Sequence, residues 1–191
     1  MSCSVSSAYG LGCKGGVGGI QTLYIFSSAI TGVTYSGEST DTQVITAISG
    51  ATSSKLVEFQ LYRGGSNFTE NMAADPATGT VVYTQTITAL FRDFTPQLRN
   101  QFSLLAKSGT VQAIVKTNRN EYVLCGLDFQ GGDATAINLA SGTAYTDRQG
   151  YDVTLTFLQA NPANFVEVAA PYGTTQLDAV LFGFDVVAPA A

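Results

Sequence analysis

The stretch Gly79-Thr80-Val81-Val82-Tyr83-Thr84-Gln85-Thr86-Ile87-Thr88-Ala89-Leu90-Phe91-Arg92 decides the fold, because its two sets of alternate positions differ in character. One set is mainly apolar: Val81, Tyr83, Gln85, Ile87, Ala89 and Phe91. The other set is rich in threonine: Val82, Thr84, Thr86, Thr88 and Leu90. A period of two predicts an extended strand. Since strands usually run about 5 to 6 residues, this length suggests a wall shared with neighbouring chains.

The next segment predicts one helix that carries its own boundaries. Thr95 is a suitable N-cap, and Pro96 suits the first helical position. An apolar stripe follows at helical spacing, at Leu98, Phe102, Leu105 and Ala106. Lys107 and Gly109 then end the pattern. We expect a single helix over about 95–108 that packs on a β structure.

Further extended segments lie on both sides of this region. In 55–63 the apolar Val57, Phe59 and Leu61 alternate with polar residues that include Glu58 and Gln60. The other predicted strands are 20–26, 32–35, 43–48, 66–72, 110–117, 121–127, 134–139, 151–158 and 176–187. Residues 159–173 are looser. The chain is therefore predicted to be mainly β, with one packed helix.

The 191 residues suit one domain with two terminal segments. Residues 1–19 are rich in Gly and Ser and predict a flexible arm, residues 20–173 form the β-rich domain, and 174–191 predict a terminal strand or arm. Only 12% of the residues are charged and 45% are hydrophobic. Because a monomer would have little charge to cover its surface, we expect burial between subunits.

Charge and cysteine content exclude several classes of protein. The net charge of −5 argues against tight nucleic-acid binding, although an acidic passage would let DNA slide without sticking. No apolar run approaches the roughly 20 residues of a membrane span. Cys3, Cys13 and Cys125 lack metal-ligand spacing, and the start lacks a secretory signal. We expect reduced thiols and synthesis in the cytoplasm.

The sequence contains little that supports a catalytic function. The chain has no histidine, which removes the commonest general base and the Ser-His-Asp arrangement. The remaining candidates for catalysis are four carboxylates: Asp128, Asp133, Asp147 and Asp152. Their simpler interpretation is that they are solvated acids at strand ends. The 128–133 loop lacks the alternating ligands of a calcium site, and the glycines of 15–19 lack the lysine of a P-loop. We predict no catalytic residue, metal or cofactor.

Several local runs resemble the tail-tube proteins of tailed bacteriophages. The resemblance covers roughly residues 20–160 and rests on these runs: Phe68-Thr69-Glu70, Gly79-Thr80-Val81-Val82-Tyr83-Thr84-Gln85-Thr86, Arg99-Asn100-Gln101, Ala106-Lys107, Val111-Gln112-Ala113-Ile114-Val115, Gly142-Thr143-Ala144-Tyr145 and Gly150-Tyr151-Asp152-Val153-Thr154-Leu155-Thr156. These are patterns of small and polar residues and contain no catalytic signature. The terminal segments match no motif of the family.

The resemblance implies a structural virion protein made in the host cytoplasm. Its fold would be a β-sandwich or barrel with the one packed helix and a long β-hairpin over about 55–92. Its subunits form hexameric rings that stack into a hollow tube, and long hairpins join edge to edge around the channel for the genome. The wall would comprise 55–63, 66–72 and 79–92, with edges completed only by sister copies. The lumen-facing candidates are Glu58, Gln60, Thr84, Thr86 and Thr88. The inter-subunit candidates are Val57, Phe59, Leu61, Val81, Tyr83 and Ile87. The implied partners are further copies, other tail proteins and DNA in transit, with no membrane.

Two alternatives remain open at this point. The chain could be another virion component, such as a head decoration, fibre or tail adaptor, or a β-domain that binds a glycan or partner; an exposed aromatic patch and a stable monomer or trimer would favour this. It could also be an enzyme that uses the four aspartates named above. Replacing each aspartate by Asn would then abolish a measured activity.

Overall fold

Two β-sheets and one helix make up the structure. The computed structural model describes residues 17–36, 44–62, 64–128, 131–167 and 180–189. The elements, in chain order, are β1 (Ile20–Phe26), β2 (Ile30–Tyr35), β3 (Val44–Gln60), β4 (Asn67–Asp75), β5 (Thr80–Phe91), α1 (Pro96–Leu105), β6 (Ala113–Thr117), β7 (Tyr122–Cys125), β8 (Gly132–Ala140), β9 (Gly150–Gln159), β10 (Asn164–Val166) and β11 (Leu181–Val187). The predicted mainly β class with one helix is confirmed.

The first sheet closes on itself. Strand β1 pairs with both β3 and β6, β6 pairs with β7, β7 with β10, and β10 returns to β3. Strands β2 and β11 extend this sheet along β3. Every strand of the closed circuit contributes to one buried apolar cluster, which includes Tyr24, Leu56, Ile114, Leu124 and Val166. The sheet is therefore a small barrel, and we refer to it by that name.

The second sheet has four strands in the order β4-β5-β9-β8, and it packs on the barrel. A second apolar cluster lies between them, in which Leu23 and Val115 of the barrel share a core with Ile87, Leu155 and Phe157. The fold is thus a barrel and an open sheet packed together, as the prediction of a β-sandwich or barrel required.

Helix α1 lies at one end of this second core. Its start agrees with the sequence, since the Thr95 hydroxyl accepts a hydrogen bond from the Leu98 N–H at 3.3 Å. Phe102 is its buried residue, and the rings of Phe91 and Tyr151 each lie 4.9 Å from the Phe102 ring. The helix ends at Leu105 with Ala106 as C-cap, slightly earlier than the predicted end near 108.

Strand β3 corrects two predictions. It runs unbroken from Val44 to Gln60, where the sequence predicts two separate strands, 43–48 and 55–63. Strand β2 pairs with β3 as far as Gly50, and β11 resumes its pairing at Ser54 after an irregular stretch in which Ser53 adopts a φ of 70°. The hairpin expected over 55–92 also differs, because β3 belongs to the barrel. The long hairpin consists of β4 and β5 alone.

The sequence predicted only some of the elements near the two ends of the chain. The short strand β10 lies in a segment that the sequence left without regular structure. The terminal strand β11 falls within the predicted 176–187. Residues 1–16 and 168–179 lie outside the described residues, and with them most of the predicted N-terminal arm. Within the described ranges, no helix has the length and apolarity that a bilayer crossing requires.

Candidate assembly surface

The open sheet turns a hydroxyl-rich face away from the core. Along β5, alternate residues such as Gln85 and Ile87 are buried, and those between them are partly exposed. The pairing register places Thr69 of β4 and Thr156 of β9 on either side of Thr86. The outward-facing residues of the three strands are mostly Thr and Asn: Asn67, Thr69, Asn71, Thr84, Thr86, Thr88, Thr154 and Thr156. We call this surface the threonine face.

The charge of this sheet has a single sign. Strands β4, β5, β8 and β9 contain no Lys, Arg or His. Their charged residues are four acids: Glu70, Asp75, Asp133 and Asp152. Asp152 forms an ion pair with Arg148, which reaches it from the loop before β9. Because the strands supply no cations of their own, the threonine face offers little attraction for phosphate groups.

Both edges of the open sheet lack a strand partner. Strands β4 and β8 have nine residues each, and within the described ranges each pairs with one neighbouring strand only. The barrel meets them only at their starts, where Ser66 O accepts from Ile20 N at 3.3 Å and Gly132 forms a bridge with Val111. The outward N–H and C=O groups beyond these points are available to another chain.

The structure corrects the expectation that the whole predicted wall needs sister copies. Strand β5 pairs with β4 on one side and with β9 on the other. Residues 56–60 of β3 pair with β1, and residues 54–57 pair with β11. The edges of these two segments are therefore completed largely within one chain. Among the three predicted segments only β4 keeps a free edge, and β8 supplies the other.

The predicted lumen-facing residues fall into two groups. Thr84, Thr86 and Thr88 lie together on the threonine face. Glu58 and Gln60 lie opposite Tyr24 and Thr22 in the barrel sheet. The structure therefore does not bring these two residues onto the same surface as the threonines. That the threonine face lines a lumen stays a prediction.

The residues predicted to contact other subunits also divide. Ile87 is fully buried in the core of one chain, and Phe59 and Leu61 pack against the same core. Val57 lines a recess beside helix α1. Val81 is exposed near the tip of the β4–β5 hairpin, and Tyr83 is half-buried next to it along β5. Val81 is therefore the most exposed of the six, and Val57 and Phe59 reach the surface at the recess.

A buried polar cluster that the sequence analysis missed holds the open sheet to the barrel. Glu70 Oε2 accepts hydrogen bonds from Gln85 Nε2 at 3.1 Å and from the Ala163 N–H at 2.6 Å. Gln159 Nε2 donates to the Asp128 carbonyl at 3.0 Å. The signal in the sequence was Gln85, a polar residue on an otherwise apolar strand face, but its partners are distant in the chain.

Three of the four candidate carboxylates make local polar contacts, Asp152 with Arg148 as described above. Asp147 accepts from the N–H groups of Ala144 and Thr143 at 2.7 and 2.8 Å, and these bonds lower its carboxyl pKa. Asp128 accepts from Asn161 Nδ2 at 3.2 Å. In the described part of the chain no three His, Cys, Asp or Glu residues cluster as metal ligands would. Burial raises the pKa of the Cys125 thiol, which disfavours the reactive thiolate.

Comparisons with known proteins identify no relative of this chain. No protein-family model, curated protein or solved structure matches it. A functional assignment therefore rests on the free edges of the open sheet and on the character of the threonine face.

Proposed function

We propose that the chain is a structural virion protein, the subunit of a bacteriophage tail tube, which assembles without catalysis or cofactor into rings that stack around the channel for genome ejection. The observation that carries this proposal is an open sheet with two free edges of equal length. An exposed edge is commonly blunted by Lys, Pro, a bulge, an inward charge or a covering segment. Neither strand contains Lys or Pro; β4 carries the inward Glu70 and β8 a single bulge after Ala134, which leave most of each edge regular.

Edge-to-edge pairing turns the open sheet into a closed wall. Strand β4 of one copy beside β8 of the next would continue the four-stranded order from chain to chain. Because sheets twist and curl, a repeated sheet can close into a ring, which removes every edge. Each barrel then lies on the outside. The resemblance to tail-tube proteins implies six copies in a ring.

The threonine face would form the inner surface of this wall. Its Thr and Asn side chains are small and uncharged, and the strands carry acids but no basic residues. A duplex that passes through such a channel meets little attraction along its phosphates, so that DNA moves without tight binding. Further copies and other tail proteins are the expected partners, within the virion.

Negative-stain electron microscopy of the purified chain tests the proposal directly. Rings or hollow tubes are expected, and a protein that stays a monodisperse monomer at high concentration would contradict the proposal. Size-exclusion chromatography with light scattering at increasing concentrations gives the same answer in solution.

A variant pair tests whether the β8 edge is responsible. Gly132 directs its N–H to Val111, away from β9. N–H groups along β8 point alternately toward and away from β9. When this alternation is followed through the bulge after Ala134, the N–H of Leu139 also points away from β9. Leu139→Pro removes this donor and should keep the monomer fold but abolish rings. The matched Leu139→Ala variant keeps the N–H and should keep the rings; equal assembly of both variants would exclude the β8 edge.

A further inference from the structure

The tip of the β4–β5 hairpin extends beyond the rest of the open sheet. Strand β9 pairs with β5 only as far as Tyr83, so residues 72–82 form a two-stranded ribbon with no third strand in the described structure. Its apolar side chains are exposed: Met72 by 60%, Val81 by 45% and Val82 by 39%. We call residues 72–82 the ribbon. An ordered apolar projection of this kind typically marks a contact with another protein.

The end of the ribbon has a fixed shape and a negative charge. The Asp75 carboxylate accepts hydrogen bonds from Ala77 N at 2.9 Å and from the Thr78 hydroxyl at 3.0 Å. The Gly79 N–H donates to the Asp75 carbonyl at 2.8 Å. The same bonds to the carboxylate lower the pKa of Asp75, which keeps it ionised.

An apolar recess lies beside helix α1, near the Phe91 end of strand β5. It has a volume of about 300 Å³ between helix α1 and the barrel strands β1 and β3. Its apolar lining comprises Ile25, Phe26, Val57, Phe59, Phe102, Leu104 and Leu105. Leu104 is 64% exposed, although leucine on a packed helix is usually covered. The recess is thus large enough for one or two aliphatic side chains.

Ribbon and recess are too far apart to meet within one chain. Strand β5 runs from the ribbon to Phe91, whose ring lies 5.9 Å from Phe59 and 4.9 Å from Phe102 in the recess wall. At about 3.4 Å per residue, the twelve residues of β5 separate the two features by roughly 37 Å. Only a second copy of the chain could therefore bring a ribbon to this recess.

The charges around the two features are complementary. Lys107 is exposed and lies along the chain between Leu105 and Ser108, both of which line the recess. Lys55 is also exposed. It lies next to the recess, because its carbonyl accepts a hydrogen bond from the N–H of the recess residue Ser27 at 2.8 Å. Asp185 of β11 lies opposite Lys55 in the sheet. Two cations at the rim thus face the acid that a ribbon would present, with Asp185 offsetting part of this attraction.

We propose that the ribbon of one copy docks in the recess of the next copy, head to tail along β5. This docking rests on the proposed function. Edge pairing joins neighbouring copies within a ring, and the ribbon would join each ring to the next. The two patches differ and lie at opposite ends, so the contact is heterologous and does not close on itself. Repetition of such a contact builds an open stack.

Cysteine cross-linking tests this contact. In a background with Cys3 and Cys13 replaced by serine, Val81→Cys and Leu104→Cys are combined in one chain; Cys125 is buried and does not interfere. Mild oxidation should give a ladder of dimers, trimers and higher species in denaturing gels. Chains with either cysteine alone should give no ladder. Efficient dimers from Val81→Cys alone would reveal a symmetric contact and overturn the proposal.

A second measurement uses charge in place of cross-linking. Met72→Lys and Leu104→Glu should each weaken stacking by about tenfold or more, because the first sets a cation on the ribbon against the two lysines at the rim, and the second sets a carboxylate in the recess against the acidic end of the ribbon. Phe165→Glu, at a residue that is 53% exposed on β10, is the matched control and should stack normally. Stacked rings or tubes that form without the cross-linked ladder, and that persist in both charge variants, would overturn this inference and leave the proposed function standing. A chain that forms neither rings nor ladders would overturn both.

Discussion

Replacement of Phe102 by alanine probes how helix α1 is held to the sheets. Phe102 is 3% exposed and is the buried residue of its helix. Its ring lies 4.9 Å from the rings of Phe91 and Tyr151, and 6.4 Å from that of Phe59. Phe→Ala in a core costs about 3 to 5 kcal/mol, and three aromatic neighbours favour the upper half of that range.

The expected effect is large enough to measure by thermal unfolding. For a domain of this size 1 kcal/mol shifts Tm by about 2 to 4 °C, so Phe102→Ala should lower Tm by roughly 8 to 20 °C. Circular dichroism in the far and near ultraviolet gives Tm and shows whether the sheets persist. The matched control is Leu104→Ala on the same helix, at an exposed side chain, which should change stability by less than about 0.5 kcal/mol.

Two results would refute the reasoning about Phe102. A loss below about 1 kcal/mol would show that the aromatic cluster does not anchor the helix. Equal losses for Phe102→Ala and Leu104→Ala would show that the helix is held by some other face. Either outcome would also remove the structural basis of the recess, since Phe102 forms part of its wall.

Three further predictions concern single positions in the fold. Gly150→Ala should strongly lower the midpoint of urea unfolding, because Gly150 has a φ of 145° and a Cβ there would lie 1.8 Å from Phe91 O. Gly109→Ala is the control and should be nearly neutral, because open space surrounds Gly109. Similar urea midpoints for the two variants would contradict this prediction. The pKa values of Asp75 and Asp147 lie below the ordinary 3.8, so their turns should hold above pH 3.8 and loosen as the pH falls through the lowered values. Amide shifts of Ala77 and Ala144 followed by NMR should therefore titrate below 3.8, and midpoints at or above 3.8 would refute the assignment. Cys125 should resist alkylation in the native protein and react on unfolding, as judged by peptide mass spectrometry; rapid native labelling would show that the strand opens.

Local features were predictable because they depend on neighbours in the chain. The period of two predicted nearly the full lengths of β5 and β9, since alternation is a property of consecutive residues. Thr95 and Pro96 marked the start of α1 for the same reason. Where the pattern was weak, as in the middle of β3, the strand exists because other strands pair with it.

The candidate surface was predictable only in part. The threonine row of β5 was visible in the sequence, and the structure gives it one outward face. The pairing of β4 and β8 at the two edges was not visible, because it depends on where β9 and the barrel lie. The exposed ribbon was likewise hidden, since its exposure follows from the point at which β9 ends.

The sequence by itself determined the β class, the helix with its cap, the acidic and histidine-free composition, and the polar row along β5. The tertiary structure decided which strands share a sheet, which edges stay free, and which apolar side chains remain in water. The physical reason is that backbone pairing and burial join residues far apart in the chain, such as Glu70 and Ala163, 93 positions apart. No local pattern encodes such a partner.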